Sequence, residues 1–204
     1  MHPRTQPTRP RGTTISARPR GSSPARRKAR ITPPPTVSRD DFFQRTFGVT
    51  LLPCPLLVKV AYFYTNPNNK CHPLLFQAMH ELIYQHNMPV QGALVGGGKN
   101  LSKYKKIVTE LRLEPYVHFL GGFEKPADVL HYADINLLAS KEEGFGIVLI
   151  EGGLRRCPTL IASGTGAADW LIVDKQTGFL FDNGDAHSIA EVVRYILTHK
   201  KEVT

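Results

Sequence analysis

Acidic residues are absent from the first 38 positions of this 204-residue chain, which nevertheless carry nine Lys or Arg residues and eight of the sixteen prolines. A segment of this composition cannot bury enough apolar surface to offset its chain entropy, so the sequence predicts a disordered tail. The net charge is +9, and subtracting the nine basic residues leaves 17 basic against 17 acidic residues in the remainder. The excess positive charge therefore lies in the tail and does not indicate nucleic-acid binding by the folded part.

Three interpretations of the basic tail stay open. It is a solvated extension, or translation was assigned to start too far upstream, or it is an organellar transit peptide, whose usual amphipathic helix the prolines here would interrupt. A fourth hypothesis is weak, salt-sensitive and sequence-independent binding of nucleic acid through residues 1–38, which deletion of those residues would abolish.

Cysteine is scarce, and long apolar runs are missing. Cys54, Cys71 and Cys157 are too few and too widely spaced for a disulfide framework or a Cys-x-x-Cys metal site. No stretch approaches the ~18 apolar residues of a membrane span, and the N-terminus lacks the apolar core of a secretory signal. We therefore expect a cytoplasmic protein without a membrane segment, with organelle targeting through residues 1–38 as the alternative.

Apolar periodicity from about residue 55 onward alternates between the patterns of strands and helices. This order predicts an α/β fold with a single Rossmann-like, doubly wound parallel sheet, preceded by the tail. The domain boundary is placed at residues 54 and 55, which leaves 55–204 as the folded domain. The predicted strands are 56–64, 90–96, 117–121, 135–139, 159–163 and 178–181; the predicted helices are 72–86, 101–112, 126–133, one from near Gly146 and one from an Asp185 cap to about His199.

Several common motifs are missing from this pattern. The glycine turn "VGGGKN" at 95–100 has Ala93 and Asn100 where a Walker A loop needs Gly and Ser or Thr, so alone it is better interpreted as a tight turn. Neither "GFGIVL" nor "GTGAAD" completes the dinucleotide fingerprint, which argues against a bound NAD. No Asp-x-Asp or His-Glu-x-x-His pair is present, so no metal and no cofactor is predicted.

The stretch "KEEGFGIVLIEGG" at 141–153 places two carboxylates on either side of a glycine turn. A helix beginning near Gly146 leaves backbone N–H groups of its first turn unpaired, and these suit a diphosphate. Glu151 lies one turn beyond Ile147, and because helical side chains lean towards the N-terminus it would sit beside the phosphates. There a carboxylate can accept hydrogen bonds from vicinal hydroxyls such as those of a ribose, while Glu143 would face a second polyhydroxylated group.

This stretch resembles the Glu-x7-Glu motif of retaining GT-B glycosyltransferases of family 4 type, also called glycosyl transferases group 1. The resemblance extends over residues 56–199. It includes "LVGGGKNLSKYKKIVTELRLEPYVHFLGGF", "YADINLLASKEEGFGIVLIEGG", "CPTLIAS", "TGFLF" and "NGDAHSIAEVV" in the family's order. The resemblance implies one half of a GT-B fold, the C-terminal domain that binds a nucleoside-diphosphate sugar.

The family's functional residues can be transferred to matching positions. By resemblance, Glu151 holds the ribose, Glu143 contacts the transferred sugar and Lys70 neutralises the leaving diphosphate. The other donor-binding positions are Gly97 in the glycine turn, Val117 and Gly122 flanking the base, and the amides of Phe145, Gly146, Ile147 and Val148 around the diphosphate. Two positions depart from the pattern, because Thr65 stands about where an Arg is expected and Trp170 replaces an acid.

The resemblance therefore predicts a glycosyltransferase that transfers a sugar with retention and needs no metal. A family member also requires an acceptor-binding domain, so we expect a separate subunit or an upstream segment to supply it. The alternative hypothesis is a non-catalytic module that binds a nucleotide or nucleotide-sugar, or that serves as an interaction domain. The intact Glu143, Lys70 and Glu151 favour the enzyme, because charged groups without a ligand are costly to bury.

Overall fold

A six-stranded parallel sheet forms the centre of the computed structural model, which describes residues 36–63 and 70–200. The strand order is β3-β2-β1-β4-β5-β6, and every neighbouring pair is parallel. The predicted fold class, one doubly wound sheet, is confirmed. The strands are Leu56–Val60 (β1), Gln91–Val95 (β2), Val117–Gly121 (β3), Ile135–Leu138 (β4), Thr159–Ala162 (β5) and Phe179–Phe181 (β6).

Seven helices in the described part of the chain cover both faces of this sheet. They are Arg39–Phe47 (α1), His72–Tyr84 (α2), Leu101–Glu110 (α3), Pro126–Val129 (α4), Ile147–Gly153 (α5), Gly166–Leu171 (α6) and Ala186–Thr198 (α7). Helices α2, α3 and α7 share one apolar core with alternate strand residues such as Leu57 and Leu94. Helices α1 and α4 pack against the opposite face, where Val58 and Ala93 point.

The order of the strands reverses between β1 and β4, which are hydrogen-bonded neighbours despite being far apart in the chain. In doubly wound sheets the crevice beyond the carboxyl ends of the strands at such a point is where ligands bind. The loops that follow β1 and β4 therefore meet at the edge where a binding site is expected.

The glycine turn after β2 packs against the chain that leaves β1. Strand β1 ends at Val60, earlier than the predicted end at residue 64, but Ala61 N still donates to Val95 O at 2.9 Å and Phe63 N to Gly97 O at 3.0 Å. A Cβ on Gly96 or Gly98 would overlap the carbonyl groups of Ala61 and Phe63. These two glycines permit a close backbone approach, as a tight turn requires.

The predicted domain boundary at residue 54 needs correction, because α1 lies within the segment predicted to be tail. Ser38 caps the helix by accepting from Asp41 N at 3.1 Å, and Gly48 ends it in the left-handed conformation. Phe43 is fully buried against the sheet. The acid-free composition stops at residue 38, so the extension of the tail to residue 54 overlooked this aromatic helix.

Residues 1–35, 64–69 and 201–204 lie outside the described residues. The predictions of organelle targeting and nucleic-acid binding concern residues 1–38, almost all of which lie outside the described residues, and so does most of the segment predicted to be disordered. Thr65 also lies outside the described residues. Two further differences concern short helices: α4 ends at Val129 rather than at residue 133, and α6 was not predicted. Among the described residues, no helix combines the length and the apolarity that crossing a membrane would require.

Candidate donor-binding site

An ion pair joins the two loops at the point where the strand order reverses. Glu143, in the loop after β4, accepts a hydrogen bond from Lys70 Nζ at 2.9 Å. Lys70 lies two residues before α2, in the connection that follows β1, and the two residues are separated by 73 positions in the chain. The Glu143 side chain is 17% exposed and that of Lys70 is 36% exposed. The fold thus brings both predicted catalytic residues to one place at the carboxyl edge of the sheet.

The turn between Glu143 and α5 depends on a glycine. Gly146 has φ 62° and ψ 54°, and a Cβ there would lie 2.9 Å from Leu149 Cδ1 and 3.1 Å from the Cβ of Ala167. Helix α5 begins at the next residue, Ile147, without a side-chain cap. The predicted helix start is confirmed, and the amides of Phe145, Gly146, Ile147 and Val148 stand at this uncapped end.

Helix α5 is held close to the sheet at a fixed position. Asn136 of β4 is buried, and its Nδ2 donates to Val148 O at 3.0 Å. A Cβ on Gly152 would come within 2.8 Å of the same amide nitrogen and within 2.7 Å of Thr159 Oγ1. This contact fixes the direction of α5 relative to the loop that carries Glu143.

Glu151 lies on α5, half-buried, four residues after Ile147. Burial raises the pKa of its carboxyl group, and the positive charge of Arg155 partly opposes that increase. The Arg155 guanidinium donates to the backbone carbonyl of Glu151 at 3.0 Å. A partly desolvated carboxylate favours hydrogen-bond donors, so this position suits the hydroxyl groups of a ligand.

A buried lysine beneath the ion pair was missed by the sequence analysis. Lys59 lies inside β1 with no exposed surface, and its Nζ has no hydrogen-bond partner among the described residues. The pKa of Lys59 is lowered to about 7, chiefly by burial, with Lys70 also lowering it and Cys71 and Glu143 partly opposing the decrease. The sequence feature that could have identified Lys59 is a charged residue within the otherwise apolar run "LLVKV". A lysine there is unusual, because lysine is almost never fully buried without a partner.

His72 extends this buried polar region at the start of α2. Its ring stacks on Phe63 with 4.3 Å between centroids, and Nε2 donates to the carbonyl of Tyr62 at 3.3 Å. Burial, followed by the charge of Lys59, lowers the pKa of His72 to about 3. The imidazole is therefore neutral at ordinary pH and acts as a core aromatic ring.

The predicted base-flanking residues lie at opposite ends of β3. Gly122 follows the strand and is exposed at the carboxyl edge, and Gly97 lies after the neighbouring strand β2 at the same edge. Val117 is the first residue of β3, 7% exposed and paired with Gly92 at the start of β2. A five-residue strand spans roughly 13 Å, so Val117 is a core residue at the edge away from Glu143, and the structure does not bring it together with the other candidate residues.

Exposed apolar side chains border the loop that carries Glu143. Phe145, Trp170 and Leu171 line a pocket of about 310 Å³ together with Gly144 and Ala167. The Trp170 side chain is 88% exposed on α6. A second pocket, about 290 Å³, lies at the amino end of β5 around Cys157 and Thr159 and contains none of the predicted site residues.

A doubly wound sheet with a pair of opposite charges and an uncapped helix at its switch point is typical of domains that bind phosphorylated ligands. Residues 59–203 match the family described as Glycosyl transferases group 1. Because the match covers well over half of the chain, the chain belongs to this family.

Curated relatives include N-acetyl-alpha-D-glucosaminyl L-malate synthase of Bacillus anthracis, which is 34% identical over 98 residues. That match covers 48% of this chain and 26% of the relative. D-inositol 3-phosphate glycosyltransferase of Streptomyces avermitilis is 33% identical over 112 residues, which cover 52% of this chain and 24% of that protein. The chain therefore spans about a quarter of the length of these relatives.

Solved structures show the same fold. Anabaena Alr3699/HepE in complex with UDP superposes with a TM-score of 0.69 at 22% identity, covering 81% of this chain and 44% of that one. The C-terminal domain of LpcC, a glycosyl transferase group 1 family protein from Francisella tularensis, superposes with a TM-score of 0.64 at 19% identity. It covers 83% of this chain and 87% of that one. The described fold is thus that of one half of a GT-B glycosyltransferase.

Proposed function

We propose that this chain is the donor-binding half of a retaining glycosyltransferase of family 4 type. It binds a nucleoside-diphosphate sugar, and an acceptor-binding domain or subunit completes the cleft. The observation that carries this proposal is the Lys70–Glu143 ion pair beside the uncapped start of α5 at the switch point of the sheet. Family membership and the fold shared with a UDP complex support it.

The proposed roles follow from charge and position. Lys70 and the amides from Phe145 to Val148 stabilise the diphosphate, whose negative charge grows as the bond to the anomeric carbon breaks. Glu151 accepts hydrogen bonds from the ribose hydroxyls, and Glu143 accepts one from the sugar while it holds Lys70 in place. Gly97 and Gly122 leave room for the base. In this proposal Lys70 and the helix dipole supply the positive charge, so no metal takes part.

The acceptor oxygen must approach the anomeric carbon on the face from which the diphosphate leaves, with water excluded. A single domain supplies one wall of such a cleft. The second wall is therefore assigned to a further domain or subunit, and transfer is expected only when that wall is present.

A non-catalytic nucleotide-sugar-binding module is the alternative, and one observation favours it. Trp170, which replaces the family's acid, is exposed beside Phe145 at the rim of the site, and such apolar rims often serve protein contacts. The two functions are separated by adding an acceptor-binding domain and an acceptor. The enzyme then transfers sugar or hydrolyses the donor, whereas the module binds the donor without turnover.

Replacing Glu151 by alanine is expected to weaken nucleotide binding by roughly 10- to 150-fold, or about 1.5–3 kcal/mol, because the ribose loses its charged acceptor. Calorimetric titration of the full chain with UDP, GDP and ADP measures the effect and also identifies the base. Glu142→Ala, an exposed neighbour in the same loop, is the matched control. An unchanged dissociation constant in Glu151→Ala would exclude the ribose-binding role.

Replacing Glu143 by glutamine is expected to discriminate between nucleotide and nucleotide-sugar. The substitution removes the partner of Lys70 but leaves the ammonium free to contact the diphosphate, so affinity for bare nucleotide stays the same or increases. Affinity for the nucleotide-sugar falls relative to the nucleotide, because glutamine is a weaker acceptor for the sugar hydroxyls. Equal losses for both ligands would show that Glu143 acts only through Lys70.

A further inference from the structure

Three side chains that can bind a metal ion converge where α2 and α7 meet, outside the donor-binding site, and a fourth, His187, is hydrogen-bonded to one of them. Glu81 belongs to α2, His86 lies two residues after the end of that helix, and His187 and Glu191 lie in α7. One ligand atom from each of Glu81, His86 and Glu191 can be chosen so that all three lie within 4.8 Å of one another.

The pairwise contacts show that both imidazoles face the same carboxylate oxygen. Glu81 Oε1 lies 2.7 Å from His187 Nδ1 and 3.2 Å from His86 Nε2. His86 Nε2 lies 3.9 Å from Glu191 Oε1. The other oxygen of Glu191 accepts from Arg194 Nη2 at 2.6 Å, which holds Oε1 on the side of the cluster.

The local structure arranges these residues before any ion is added. His187 and Glu191 are four positions apart on α7 and so project from one face of the helix. Asp185 caps α7 by accepting from His187 N at 2.8 Å, which fixes the backbone at the first of the two positions. The Glu81 side chain is 14% exposed, so the two helices enclose one side of the cluster.

The spacing matches a tetrahedral site for a small divalent ion. Zinc binds imidazole nitrogen and carboxylate oxygen at about 2.0–2.2 Å, which puts neighbouring ligand atoms roughly 3.3–3.5 Å apart in a tetrahedron. Glu81 Oε1 and His86 Nε2 lie 3.2 Å apart, and His86 Nε2 and Glu191 Oε1 lie 3.9 Å apart, on either side of that value. The shorter 2.7 Å contact of His187 Nδ1 with Glu81 Oε1 is a hydrogen bond. Imidazole ligands suit Zn²⁺ and its first-row neighbours, whereas Mg²⁺ and Ca²⁺ prefer oxygen alone.

We propose that Glu81, His86 and Glu191, with solvent as a fourth ligand, form a binding site for a Zn²⁺-class divalent transition-metal ion that ties α2 to α7. His187 orients the Glu81 carboxylate through its hydrogen bond to Oε1. These helices share the apolar core on one face of the sheet, so the ion adds a link between elements that already pack together. The site acts on stability, because an ion that binds only the folded chain shifts the unfolding equilibrium towards it.

The test uses the full chain, freed of metal with a chelator and then titrated with Zn²⁺ against a chromophoric chelator. We expect one tight equivalent and a rise of several degrees in the melting temperature. Co²⁺ serves as a spectroscopic probe, since a tetrahedral site gives stronger visible absorption than an octahedral one. His86→Ala and Glu191→Ala are each expected to lose the tight equivalent and the thermal shift.

His199→Ala is the matched control, because this exposed imidazole lies at the other end of α7. It should bind Zn²⁺ as the unmodified chain does. Melting of each variant without metal reports separately on its fold. The proposal is overturned if the unmodified chain shows no tight equivalent, or if the His86→Ala/Glu191→Ala double variant retains it. Neither outcome depends on nucleotide binding.

Discussion

Replacing Lys59 by methionine is expected to stabilise the chain by about 4 kcal/mol at pH 7. The ammonium is buried in β1 without a hydrogen-bond partner among the described residues, and its pKa is lowered from 10.5 to about 7. The unfolded chain therefore binds more protons than the folded chain between pH 7 and 10.5, and the stability of the unmodified chain rises with pH across that window. Methionine has a similar length, fills the same space and removes the charge.

Urea unfolding at a series of pH values from 6 to 10 measures this effect. The Lys59→Met curve should be nearly flat where the unmodified curve rises, so that the two converge at the alkaline end. Lys103→Met, at an exposed position on α3, is the control and should run parallel to the unmodified chain. If the curve of Lys59→Met ran parallel to that of the unmodified chain, burial would not lower the pKa of the Lys59 amine.

Replacing Phe43 by alanine is expected to cost about 3–5 kcal/mol of stability, although the residue lies in the segment predicted to be tail. Its ring is fully buried, with ring centroids 5.6 Å from Phe42, 5.8 Å from Phe47 and 6.3 Å from Tyr132. The cavity left by the ring would open between α1 and the sheet.

Two deletions extend this prediction. Removal of residues 1–35 leaves α1 intact and should change the free energy of unfolding little, whereas removal of residues 1–54 removes α1 and should destabilise at least as much as Phe43→Ala. Val37 lies before α1 and is 40% exposed, so Val37→Ala serves as the control substitution. A Phe43→Ala variant within 1 kcal/mol of the unmodified chain would show that α1 contributes little to the core.

Most of the sheet could be predicted because its signals are local. Buried parallel strands are short apolar runs, and the intervening helices carry an apolar stripe at helical spacing, as in α3 with Tyr104 and Val108 on its buried side. The start of α5 followed from Gly144 and Gly146, and the start of α7 followed from Asp185. Helix α6 was missed because its six residues are too few to show a period.

The candidate site was predicted one residue at a time, and the structure determined which residues meet. Glu143 and Lys70 were assigned separate roles, yet they form a direct ion pair, because parallel strands β1 and β4 bring the two loops to one edge. Val117 was predicted to flank the base because the whole stretch from Val117 to Gly122 was assigned to one end of the strand. The direction of β3 puts that residue at the other edge.

The sequence by itself determined the class of fold, the order along the chain of its six strands and of five of its seven described helices, and the candidate residues around 143–151. These features depend on periodicity, turn residues and motif spacing, which neighbouring positions in the chain express. Only the tertiary structure decided that α1 belongs to the core, that Lys59 is desolvated, and that Glu81 and His86 meet His187 and Glu191. Burial and distance between residues far apart in the chain set these properties. The lysine within the apolar run of β1 is a local signal, but its depth of burial depends on the elements packed around it.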